Sequence, residues 1–76
     1  MFTAKQIKER LDSKPFIPFR LLMSNGKSYE VPHHDAAWVT AGTVEVGMEL
    51  DKEGFAQNVA RCGILHIATI EDLKAA

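Results

Sequence analysis

Hydrophobic positions along this chain follow a helical period first and a strand period afterwards. Ala4, Ile7 and Leu11 recur at helical spacing, with Lys5, Lys8, Glu9 and Arg10 on the rest of the circumference, which predicts a short amphipathic helix over about residues 3–12. Its start is specified twice. Thr3 and Gln6 have the spacing of a capping box, and Phe2 and Ile7 flank it as a hydrophobic staple. Pro15 disfavours helical geometry at Lys14 and ends the helix.

The stretch KPFIPF, residues 14–19, is then a stiff joint. Pro15 and Pro18 fix φ and favour an extended path of about three residues per turn, which places the prolines on one side and Phe16 and Phe19 on another. From Phe19 the period becomes two. Phe19, Leu21 and Met23 alternate with Arg20 and Leu22, and Tyr29 and Val31 alternate with Ser28 and Glu30, so residues 19–31 read as a hairpin. A two-residue Asn25-Gly26 turn would set Leu21 against Glu30 and mix the faces. A three-residue loop over Ser24, Asn25 and a left-handed Gly26 sets Phe19 against Val31, Arg20 against Glu30 and Leu21 against Tyr29. Because opposed residues point the same way, that register is the expected one.

After Pro32, HHDAAW reads as a bend into a short strand at 38–40. Residues 43–50, TVEVGMEL, alternate most clearly: Val44, Val46, Met48 and Leu50 share one face and Thr43, Glu45, Gly47 and Glu49 the other. DKEG turns the chain into a strand at 55–60, and ILHIATI supplies the last at 64–70. The expected architecture is α+β, mainly β, in a single domain over 1–76. An N-terminal helix precedes about five short antiparallel strands in a strongly bent sheet or small curled barrel, which would hide open edges. The expected core is Ile7, Leu11, Phe16, Phe19, Leu21, Val31, Val44, Val46, Met48, Ile67 and Ile70; Trp38 either anchors the barrel or sits at a contact surface, with its size favouring the interior.

Composition narrows the possible roles. A chain of 76 residues has room for one small core, so association with other chains is expected to matter for stability. Nine Lys and Arg against ten Asp and Glu leave a formal charge of −1, which provides no positive field toward nucleic acid or an anionic membrane. The single cysteine, Cys62, excludes an internal disulfide and fits a reducing compartment. MFTAKQIKER has no apolar run like a secretory leader, and no stretch approaches the length of a membrane span. Cytoplasmic localisation is the expectation.

Candidate chemistry is sparse. His33, His34 and Asp35 are metal-ligand types, but neighbours in a bend point in different directions, while a site needs three or four converging donors. Cys62 and His66 form the one local nucleophile and base pairing. No phosphate-binding glycine loop, H-E-x-x-H or framed carboxylate pair is present. No enzyme activity and no cofactor are expected. His33, His34, Asp35, Trp38, Arg61 and His66 are the candidate contact residues.

The front half, KPFIPFRLLMSNGKSYEVPHHD, resembles short uncharacterised bacterial proteins patterned K-P-F-x-P-F, then an Asp or Asn-Gly turn, then V-x-H-P followed by an acid, with His34 here in place of the proline. The closing IATIE is similar to their final strand. That resemblance implies a small β-barrel-like sheet behind an N-terminal helix and carries no activity. A second resemblance, in element order, is to Sm-like proteins such as bacterial Hfq, which implies an SH3-type barrel and RNA binding. The chain departs from it: the bending glycine is absent at Glu30-Val31, and HHDAAW does not reproduce the base-binding loop. The expected function is a non-enzymatic interaction or self-assembly module with a protein partner or a second copy. The alternatives are an Sm-like RNA binder, which the charge does not favour, and a metal or hydrolytic site around His33, His34, Asp35 and His66.

Overall fold

A computed structural model describes residues 1–73. The helix α1, Ala4–Asp12, starts at an N-cap Thr3 whose Oγ1 accepts from the Gln6 N–H (3.2 Å) while Gln6 Oε1 accepts from the Thr3 N–H (2.9 Å). Both halves of the capping box are therefore made. The face bearing Ile7 and Leu11 is buried against β3 and β4.

Six strands follow: β1 Phe19–Met23, β2 Ser28–Val31, β3 Ala37–Val39, β4 Thr43–Leu50, β5 Ala56–Gly63 and β6 Ile67–Asp72. They form two antiparallel three-stranded sheets, ordered β2-β1-β6 and β3-β4-β5. The count of about five strands is thus corrected to six, and the sheets do not close into one barrel. Pro32, which has no N–H to donate, ends β2 after four residues, and a turn closed by the Ala36 N–H on the His33 carbonyl (3.0 Å) carries the chain into the second sheet. The hairpin register pairs Phe19 with Val31, Arg20 with Glu30 and Leu21 with Tyr29, as separation of the faces requires, with Gly26 at φ 90°.

Between the sheets lies a core of Ile7, Leu11, Phe19, Leu21, Met23, Val31, Ala36, Val44, Val46, Cys62, Ile64 and Ile67. The KPFIPF joint delivers Phe19 to its centre, where the ring is fully buried, and leaves Phe16 half-buried above it with ring centroids 6.1 Å apart. The Arg10 guanidinium covers the Phe19 ring at 5.3 Å, and the Leu73 N–H bonds to the Pro18 carbonyl (2.7 Å), so the joint is tied both to α1 and to the residue after β6.

Several core assignments change. Met48 shares a face with Val44 and Val46 yet is exposed, because β3 pairs only with Val44 to Val46 and the second half of β4 runs on past the core. Ile70 and Phe16 are only partly buried. Trp38 is 73% exposed: β3 turns Ala37 and Val39 inward, and the residue between them points out with its partner Glu45. The last strand begins at Ile67 because residues 64–66 form a 3₁₀ turn. Its three-residue period buries Ile64 and Ile67 together and leaves Leu65 outside.

Candidate interaction surface

The six residues singled out in the sequence separate into two groups. His33, His34 and Asp35 are exposed on the loop from β2 to β3, close to Trp38. The His34 ring stands edge-on to Phe16 at 6.4 Å and lines a shallow recess with Leu11, Asp12 and Trp38. Asp35 and Trp38 share the neighbouring recess with Glu45, Gly47 and Val59. Arg61 and His66 lie elsewhere, in a depression of about 350 Å³ that also includes Ser24, Asn25, Tyr29 and Cys62.

Exposed apolar surface is concentrated around Gly47. Of the eight large hydrophobic side chains exposed among the described residues, five (Trp38, Met48, Leu50, Phe55 and Val59) belong to the second sheet and its hairpin. They line three adjoining depressions of about 260–270 Å³, and Gly47 borders all three. A Cβ at Gly47 would be crowded, 3.2 Å from the Ala56 Cβ and 3.3 Å from the Ala36 carbonyl, so a side chain there would press its neighbours aside by a few tenths of an ångström. Glu49, a non-glycine residue at φ 56°, interrupts the strand geometry beside it. The sequence offers Trp38 as a contact residue while favouring the interior for it, and does not single out Phe55, Val59 or the exposed half of β4. The signal that could have found them was a glycine in the middle of the most regular strand, which marks a close approach.

The second depression lacks an assembled reaction centre. The Cys62 side chain is buried, and desolvation pushes its thiol above the ordinary range, opposite to what an attacking thiolate needs. Among the described residues no hydrogen bond joins Cys62 to His66, and no three His, Cys, Asp or Glu side chains lie together to hold a metal ion. The raised thiol has a consequence for stability. A folded-state pKa above the unfolded one favours the neutral thiol in the native protein. That contribution is complete below the unfolded value of about 8.5 and fades as pH rises through the folded one. Denaturation midpoints are expected to fall above that pH, and iodoacetamide is expected to label Cys62 only in denaturant. Rapid labelling of the native protein would contradict the burial.

The arginine charges are paired where they stand. Each of the three arginines is ion-paired: Arg10 with Asp72 (2.7 Å), Arg20 with Glu30 (2.9 Å) and Glu71 (3.4 Å), and Arg61 with Glu45 (3.4 Å). The Glu30 hydrogen bond, with the charges of Glu30 and Glu71, raises the Arg20 pKa. These pairs are exposed and contribute little stability, but they leave no arginine free for a phosphate. Among the described residues no helix is long and apolar enough to cross a membrane. No known protein family, curated protein or solved structure matches the chain.

Proposed function

We propose that this protein is a non-enzymatic interaction and self-assembly module whose contact face is the apolar surface around Gly47. One observation carries the reading: Trp38 and Val59 on the outer face of the second sheet, with Leu50 and Phe55 beside them, are exposed around Gly47, while Met48 opens to the opposite face. Isolated surface hydrophobes are ordinary, whereas a contiguous group with a tryptophan at its margin is the composition of a protein contact. The KPFIPF resemblance supports membership of the short bacterial proteins named above and adds no chemistry to this face. The Sm-like, SH3-type reading is the alternative, and the paired arginines count against its RNA-binding half.

Light scattering at two protein concentrations, with and without added RNA, tests the proposal. The expected result is a mass above that of the 8.4 kDa chain that rises with concentration and ignores RNA. Trp38→Ser is expected to lower that mass while changing stability by less than about 0.5 kcal/mol, as at other exposed sites. A discrete oligomer that shifts with RNA would replace this reading with the Sm-like one. Identical masses for wild type and W38S would remove Trp38 from the interface.

A further inference from the structure

Of the four strands that end a sheet, three are protected against pairing with another chain. β2 has four residues, carries Glu30 and runs into Pro32; β3 has three; β6 ends in Glu71 and Asp72, which are held by Arg20 and Arg10. Short length, charge and proline are the usual means of blunting an edge. β5 has none of them over most of its length. It spans eight residues, AQNVARCG, with Arg61 its one charged residue, no proline, and exposed residues from Ala56 to Val59.

The hydrogen-bond parity shows what this edge presents. The Gly47 N–H bonds to the Ala36 carbonyl (2.7 Å) and the Thr43 carbonyl accepts from the Thr40 N–H (2.9 Å), so odd-numbered β4 residues bond toward the β3 side. Even-numbered ones bond toward β5, and the Ile64 N–H on the Gly42 carbonyl (3.0 Å) continues that phase. With Val46 opposite Ala60 and Val44 opposite Cys62, the even-numbered residues of β5 are bonded inward. Val59 and Arg61 therefore direct their N–H and C=O groups outward, where no strand among the described residues meets them.

We infer that β5 pairs antiparallel with β5 of a second copy about a two-fold axis at Val59, joining the two second sheets into one six-stranded sheet. This deepens the self-assembly reading by naming the partner and the register. That register matches donors with acceptors at Val59 on both chains. It sets each Arg61 across from Gln57 of the second copy, so no like charges oppose each other. Glu45, 3.4 Å from Arg61 in its own chain, supplies the countercharge on the same face. An isologous contact needs such a self-complementary patch, and the edge supplies one. Val59 of each copy would face the other at the axis, on the exposed face that also holds Trp38.

Position 59 being opposite itself makes the register testable by charge. Val59→Lys and Val59→Glu each place like charges against each other, and each is expected to weaken the dimer at least ~10-fold in low-salt buffer. An equimolar mixture of V59K and V59E is expected to restore a two-chain mass in light scattering, with circular dichroism confirming that each variant is folded. Failure of the mixture to reassociate, or retention of the wild-type mass by both single variants, overturns the pairing. In the latter case, loss of mass in W38S would show that the apolar face assembles the protein by another route, so the broader reading survives separately. A wild type that stays monomeric at every concentration overturns the pairing too and leaves the edge to a strand from a different protein. Should either variant unfold, hydrogen exchange of the wild type decides: Val59 and Arg61 amide protection that grows with concentration supports the dimer, and fast exchange at all concentrations overturns it.

Discussion

Truncating Phe19 to alanine is expected to destabilise the protein by about 3–5 kcal/mol, the range for emptying a fully buried aromatic site. A domain of 76 residues has a total stability on the order of 4–11 kcal/mol, so this one change removes a large share of it. The ring is wholly inaccessible, belongs to the core cluster with Ile7, Leu21 and Val31, and is capped by Phe16 and the Arg10 guanidinium. It also pairs with Val31 on one side and Asp72 on the other, at the middle of the first sheet. Relaxation to fill the void would have to move both neighbours of β1. Urea denaturation with the wild type as reference measures the loss, and a change below about 1 kcal/mol would contradict this position for the ring. Phe16→Ala is expected to lose less, roughly 1–2 kcal/mol, because half-burial removes less apolar area from water.

Ile7→Ala should be nearly as severe, about 2–5 kcal/mol, for a reason specific to α1. A nine-residue helix is too short to be stable alone in water, and its capping box satisfies only its first turn. It persists because Ile7 and Leu11 are buried against the second sheet, with Ile7 completely inaccessible. Removing the Ile7 side chain weakens the helix and the core together, so far-UV circular dichroism is expected to report lost helix well before the sheets unfold. A variant that keeps full helicity and the wild-type urea midpoint would show that something other than this contact holds α1.

The exposed surface, by contrast, is only partly legible in the chain. Size favours the interior for Trp38 over a contact surface, and alternation places Met48 inside. Alternation identifies which residues share a face but not where the opposing layer stops, and β3 covers only three residues of β4. His33, His34 and Asp35 were grouped because they adjoin in sequence, and Arg61 and His66 were singled out separately. Folding places His34 and Asp35 beside Trp38, and it keeps Arg61 and His66 with Cys62 in one depression, as the local Cys62 and His66 pairing expects.

Features decided within a few residues were legible in the chain. The capping box at Thr3 and Gln6, the three-residue turn with Gly26 and the hairpin register from Phe19 to Val31 rest on local spacing, on the glycine's access to positive φ and on the two-residue period of a strand. Only the tertiary structure decided that the strands divide into two sheets, that β5 ends the second one with its edge open, and that Trp38, Val59, Leu50 and Phe55 are exposed around Gly47. Each of those depends on which elements lie beside one another and how far they overlap. That is a matter of long-range packing and relative strand length, and the period of residues along a single strand carries no record of it.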